Sequence, residues 1–238
     1  MSIRHHIEFI IFLTFNLSVI YAQNTVNGFD SEGKRHGIWK KYYEGTEQLR
    51  YEGQFEHGKE IGVFKYYSKK SKQKPIATRA FNTDDDTAQV TYYALNQQVI
   101  SKGKMRGKLR IGEWLYYHQN SDLIMNKENY KDGVLHGLSQ VYYKNGQLLE
   151  ELHYEDGVLQ GAYAKYYPNG QLDHKFVYVD GKIEGPVIYY DVHGKKISEG
   201  NYKNNKRVGI WNFYEDGKIV ETKNYSPVKN PKFLKKGN

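Results

Sequence analysis

With 35 Lys and Arg against 27 Asp and Glu, the 238-residue chain carries a formal charge of +8, and it contains no Cys at all. The missing thiols exclude a disulfide framework and a thiolate metal site. A basic balance suits anionic lipid, acidic glycans or acidic proteins as neighbours, and nucleic acid is not among the expected partners.

Residues 1–22 differ from the rest: Arg4, His5 and His6 lead into an apolar stretch from Phe9 to Ile20, and a small residue stands at Ala22. This is the outline of a secretory signal peptide, predicting export to the periplasm, the cell envelope or the medium. The run is interrupted by Thr14, Asn16 and Ser18, and a spanning helix needs about 20 apolar residues. Residues 23–27 read as a linker. Eight repeats follow over 28–225, and 226–238 is a basic tail containing Lys229, Lys232, Lys235 and Lys236.

The repeats are marked by aromatic pairs: Tyr42-Tyr43, Tyr66-Tyr67, Tyr92-Tyr93, Tyr116-Tyr117, Tyr142-Tyr143, Tyr166-Tyr167, Tyr189-Tyr190 and Phe213-Tyr214, at intervals of 24, 26, 24, 26, 24, 23 and 24 residues. Such self-similarity means one supersecondary unit stacked many times. In the fifth and sixth units a Gly opens a short aromatic strand, a Lys-Asn-Gly or Pro-Asn-Gly turn follows, and a second strand runs from Leu148 to Tyr154 or from Leu172 to Tyr178. An Asp-Gly turn then leads to the next unit. Asn145-Gly146, Asn169-Gly170 and Asp216-Gly217 are expected to form type I′ hairpin turns.

The first Tyr lies four residues after the repeat Gly in some units and five in others, so β-bulges are predicted near Gly37, Gly137 and Gly161 to absorb the difference. The third unit is the most degenerate, with Asp84-Asp85-Asp86 in place of the Gly turn and Met105 in place of the aromatic. The loop before it, Ser68 to Lys74, is expected to be solvated and mobile. No window after residue 22 sustains a helical apolar period. The prediction is an all-β chain: one elongated, open antiparallel meander sheet of about eight tandem hairpins.

Gly37-Ile-Trp39-Lys-Lys-Tyr42-Tyr43, Gly112-Glu-Trp114-Leu-Tyr116-Tyr117 and Gly209-Ile-Trp211-Asn-Phe213-Tyr214, with the turn Gly33-Lys34-Arg35-His36-Gly37, resemble the bacterial MORN-repeat variant family. The resemblance covers residues 28–225. It implies an elongated sheet serving as an interaction surface, in protein assembly or in membrane or lipid contact, and members are often labelled antitoxin-like partners of toxins.

Adjacent strand residues point to opposite faces, so each doublet sends one ring each way. Tyr42, Tyr67, Tyr92, Tyr117, Tyr142, Tyr166 and Tyr190 are the candidate partner-binding aromatics, and the face lacking the three Trp is the expected open surface. Lys69, Lys70, Lys72 and Lys74 are candidate contacts to an anionic surface. His36 and His136 each precede a repeat Gly, but 100 residues apart along a linear array they cannot converge on one ion, so no metal is expected. No Walker loop, nucleophile elbow or HExxH occurs, and no catalytic residue or cofactor is expected. The functional expectation is a non-enzymatic exported scaffold that binds protein along its sheet, with anionic lipid, envelope glycan or a toxin as alternative partners.

Overall fold

The computed structural model describes residues 26–226. The expected signal peptide and the tail beyond Ser226 lie outside the described residues. Nineteen strands form one sheet, and no helix occurs among the described residues. The strands are β1 (Gly28–Phe29), β2 (Arg35–Tyr42), β3 (Leu49–Glu56), β4 (Lys59–Tyr66), β5 (Ala77–Phe81), β6 (Thr87–Tyr93), β7 (Val99–Arg106), β8 (Leu109–Tyr117), β9 (Ile124–Lys131) and β10 (Val134–Leu135). They continue as β11 (Gly137–Tyr142), β12 (Leu148–Glu155), β13 (Val158–Leu159), β14 (Gly161–Tyr166), β15 (Leu172–Val179), β16 (Lys182–Tyr190), β17 (Lys196–Lys203), β18 (Lys206–Glu215) and β19 (Lys218–Asn224). β10 and β11 both pair with β9, and β13 and β14 both pair with β12, so each couple is one strand interrupted before its repeat Gly. Every other strand pairs antiparallel with the next, and no pairing among the described residues returns β19 to the first strands. The meander is open, as expected.

The two turn types are distributed differently from the expectation. Two consecutive positive φ angles, the signature of type I′, occur at Asp132-Gly133, Asp156-Gly157, Asp180-Gly181 and Asp216-Gly217. At Asn145-Gly146 and Asn169-Gly170 only the Gly is positive. There the Asn carboxamide accepts the backbone N–H two residues on, and Gly146 N donates to the Tyr143 carbonyl at 2.9 Å. This is a longer turn closed by a left-handed Gly, because the Asn side chain caps the loop from a right-handed conformation.

Bulges do occur at Gly137 and Gly161, where the ladder shifts by two residues, while the β1–β2 ladder ends before Gly37; all three have positive φ, as do Gly62, Gly112, Gly185 and Gly209. The register shifts by the same two residues opposite Gly62, Gly112, Gly185 and Gly209, where the first aromatic follows by four, and opposite Gly137 and Gly161, where it follows by five. The uneven Tyr spacing is therefore not an insertion. Counted from the Gly, the doublet occupies positions four and five in some repeats and five and six in others. Position five is Tyr in every Gly-opened unit: Tyr42, Tyr67, Tyr117, Tyr142, Tyr166, Tyr190 and Tyr214. Where the following turn keeps the ladder paired, a second register shift falls immediately before this Tyr.

The third repeat is more regular than its neighbours. Ala88 takes the place of the bulge Gly, cannot readily adopt its left-handed conformation, and β5 pairs β6 from Ala77↔Tyr92 to Phe81↔Ala88 without a shift. Asp85 Oδ1 accepts both the backbone N–H and the hydroxyl of Thr87, at 2.7 and 2.6 Å, which closes the acidic turn. The sheet is continuous through it.

One face carries the core. Two residues beyond each repeat Gly stand Trp39, Phe64, Trp114, Ser139, Tyr163, Val187 and Trp211, with Val90 equivalent in the third unit, and Trp114 and Trp211 are 0% exposed. A single-layer sheet buries such rings by laying them across the neighbouring strand. Phe64 covers Gly53, Trp114 covers Gly103 and Trp211 covers Gly200, so closely that a Cβ added at any of these glycines would overlap the ring. Elsewhere the sizes are exchanged: Phe176 precedes Val187, Glu128 precedes Ser139 and Arg79 precedes Val90 in the same row. The complementary volumes keep one row filled along the sheet.

Each Trp is finished in the same way. Its indole N–H donates to a backbone carbonyl of the preceding strand: Trp39 to Gly28 at 3.0 Å, Trp114 to Lys104 at 2.9 Å, and Trp211 to Asn201 at 3.2 Å. An Arg four residues earlier lies over the ring, with Arg35, Arg110 and Arg207 at 4.8, 4.7 and 4.2 Å from its centroid. The same guanidinium reaches the next strand's aromatic, Phe55, Tyr130 or Tyr225. The bulge at the intervening Gly makes this fit, since it changes how residues four apart project on one strand.

Candidate functional site

The other face bears the position-five tyrosines. Tyr67, Tyr93, Tyr117, Tyr142, Tyr166 and Tyr214 each meet a side chain of the preceding second strand, and Tyr142 also reaches Gln140 on its own strand. Tyr67 donates to Glu52 Oε1 at 2.8 Å, Tyr142 to Gln140 Oε1 at 2.9 Å, Tyr166 to Glu151 Oε2 at 3.5 Å, and Tyr214 to Glu199. Lys102 lies over Tyr117 at 5.7 Å and Lys127 over Tyr142 at 5.6 Å. Tyr93 in the third unit meets the Thr78 hydroxyl at 3.3 Å and fills the same place. Eight tyrosines thus form one column along the outer face, spaced by 25, 26, 24, 25, 24, 24 and 24 residues.

Of the seven tyrosines expected to bind a partner, Tyr42, Tyr117, Tyr142, Tyr166 and Tyr190 belong to this column and are partly or well exposed, Tyr42 the most at 44%. Tyr67 belongs to it too but is only 6% exposed, because the Ser68–Lys74 loop closes beside it. Tyr92 lies on the opposite face, its ring 6.2 Å from Trp114. Its place in the column is taken by Tyr93, and Tyr214 completes the series. Both were legible by counting five residues from the Gly, or from Ala88, instead of to the first Tyr.

The hydroxyl–carboxylate contacts set the local ionisation. The Tyr67 hydrogen bond holds the Glu52 carboxyl below its ordinary value, with Lys65 adding to the effect. Burial, then the Glu52 carboxylate, pushes Tyr67 up to about 12. The Tyr214 hydroxyl and Lys196 similarly lower Glu199. A polar row of this kind holds the rings in place and leaves their edges at the surface.

Between tyrosines the surface is apolar in places. Ala162, Ala164, Val177, Pro186, Ile188 and Tyr190 border a shallow groove of about 360 Å³. A second hollow of about 650 Å³ lies by Leu95, Ile100, Tyr117 and Met125. Lys69, Lys70, Lys72 and Lys74 are all exposed on one loop at the sheet margin. That loop is organised as well as solvated: Ser68 N donates to Ser71 Oγ at 2.9 Å, Ser71 N to Ser68 Oγ at 3.1 Å, and Ser71 is buried.

The histidines also behave differently from the expectation. His36 and His136 are far apart along the chain, and His136 contacts Asp156 of the following turn at 3.3 Å. His36, however, meets two residues that composition and spacing did not single out, Asp30 and His57.

The repeats hold one another edge to edge. Tyr43, Tyr143 and Tyr167 donate their hydroxyls to the carbonyls of Tyr67, Tyr166 and Tyr190, and Asn145 and Asn169 donate to Pro168 and Val192 in the next unit's turn. Nearest-neighbour coupling of this kind is what stabilises repeat arrays.

Comparison with known proteins bears on the repeats themselves. Residues 135–156 and 159–180 match the MORN repeat variant model. No curated protein matches the sequence. A solved structure of a protein of unknown function from Bacteroides fragilis is 8% identical over 71% of this chain and 90% of its own, with a TM-score of 0.13. That likeness carries no argument. The two matched segments coincide with β10 to β12 and with β13 to β15, whose turns and strands are those described above. The likeness to the MORN repeat variant family is thus shown over residues 135–156 and 159–180, two of the eight repeats.

Proposed function

We propose that the protein is a non-enzymatic exported scaffold that binds another protein along its outer face. The observation that carries this reading is the tyrosine column, in which one residue type recurs at one structural position in all eight repeats, beside exposed apolar residues such as Val177 at 46%. Packing alone does not demand a hydroxyl at each of those places, and tyrosine supplies large contact area at low entropic cost. The test is capture from the envelope fraction, comparing the intact protein with a Tyr117→Ala/Tyr142→Ala/Tyr190→Ala variant. A specific partner retained by the first and lost by the second supports the reading. Equal capture by both, or none by the intact protein, overturns it.

A second reading, contact with an anionic membrane surface, is favoured by the four exposed lysines of one loop. Flotation with anionic liposomes is then lost at high salt and in a Lys69→Ala/Lys70→Ala/Lys72→Ala/Lys74→Ala variant, because exposed charge is screened.

A further inference from the structure

We infer that Asp30, His36 and His57 form a binding site for a divalent transition-metal ion of the zinc class. Their ligand atoms all lie within 4.8 Å of one another. His57 Nδ1 is 2.8 Å from Asp30 Oδ2, and the two imidazole rings are 5.1 Å apart between centroids. Two imidazoles and a carboxylate are a donor set suited to zinc, whose nitrogen and oxygen ligands sit at about 2.0–2.2 Å, so a small inward movement of exposed His side chains completes the approach.

The carboxylate is prepared for this. Asp30 Oδ1 accepts the backbone N–H groups of Glu32 and Lys34, both at 2.9 Å, which fixes the carboxyl plane and leaves Oδ2 directed at the histidines. The Asp30 side chain is only 8% exposed, whereas His57 is well exposed. Orientation of a metal-binding carboxylate by hydrogen bonds to its other oxygen is the usual second-layer support of such sites.

Comparison with the other repeats separates this cluster from ordinary turn chemistry. In the repeats opening at Gly37, Gly137, Gly161 and Gly185 the residue before the Gly is His36, His136, Gln160 and Glu184, and the first residue of the following type I′ turn is His57, Asp156, Asp180 and Asn204, whereas Ile61, Ile111 and Val208 precede the other repeat glycines. In the later repeats this pair makes a structural contact: Gln160 accepts the Asp180 N–H at 2.8 Å, and Glu184 accepts that of Asn204 at 2.8 Å. Only in the first repeat are both places His, and there Asp30 on the β1–β2 turn adds the third donor. The ion would tie β1, two residues long, to the first full hairpin and so close the N-terminal end of the array.

The variants that test this use residues the fold already carries at those positions. Untagged full-length protein is titrated with Zn²⁺ by calorimetry and melted with and without Zn²⁺. Saturable binding and a raised Tm are expected for the parent and for His136→Ala. His36→Gln and His57→Asn each lose at least about tenfold in affinity and lose the Tm increase, while keeping the parental Tm without metal. Failure of the parent to bind Zn²⁺ overturns the site, as does binding unchanged in the His36→Gln/His57→Asn double variant. A Tm that rises equally in all forms also overturns it.

Discussion

The fourth and seventh repeats fill the same place in the sheet by opposite means. In the fourth, Trp114 lies across Gly103 beneath Arg110; in the seventh, Val187 follows Phe176, whose ring stacks on Tyr163 at 4.5 Å. Trp114 and Val187 are both almost completely buried. A single-layer sheet therefore does not require a particular residue at its core position. In these two repeats the volumes of two laterally adjacent positions, eleven residues apart in the chain, are complementary. The comparison also explains why the unit with Ser139 at this place, which follows Glu128, needs no Trp.

The strongest way to break the comparison is to empty one solution. Trp114→Ala removes a fully buried ring together with its N–H bond and its Arg cover, and should cost about 3–5 kcal/mol in urea unfolding. Overfilling comes next. Gly103→Ala places a methyl against the indole, and Val187→Trp adds a ring beside Phe176; each should cost about 1–3 kcal/mol. The sharper test is the exchange: Phe176→Gly/Val187→Trp should be more stable than the sum of its single changes by about 0.5–3 kcal/mol. Additive effects would reject volume complementarity.

Smaller effects test the polar supports. Arg110→Met keeps a long side chain over Trp114 but removes the charge, for an expected loss of about 0.5–2 kcal/mol, without loss of the native tryptophan emission spectrum. The smallest concerns Tyr67 and Glu52. Glu52 titrates lower in the folded state, so its contribution is full above the ordinary carboxylate range and declines as pH falls through the folded value. Tyr67 titrates higher, from an ordinary 10.0 to about 12, so its contribution is full below pH 10 and declines as pH rises toward 12. The stability difference between the parent and Tyr67→Phe should thus be flat through neutral pH and shrink at both ends. A difference independent of pH would show that the hydrogen bond does not couple the two groups.

Much of this was legible in the residues. The Gly spacing and Tyr doublets announced the meander, and Asp216-Gly217 announced its turn correctly. The Asn-Gly turns were misread because an Asn side chain that caps its own loop favours a right-handed backbone, which the dipeptide alone does not reveal. Tyr92 was placed in the outer column because its doublet was counted from the wrong end. The third repeat looked damaged, yet losing the Gly removed a bulge and straightened the hairpin.

Repeat number, turn positions and the alternation of faces were determined by the chain alone, since they depend on local φ preferences and on a side-chain period of two. Which face closes, which ring covers which glycine, and the meeting of Asp30 with His36 and His57 were decided only in the tertiary structure. These depend on lateral register between strands, which each two-residue bulge resets by an amount that local propensity does not specify.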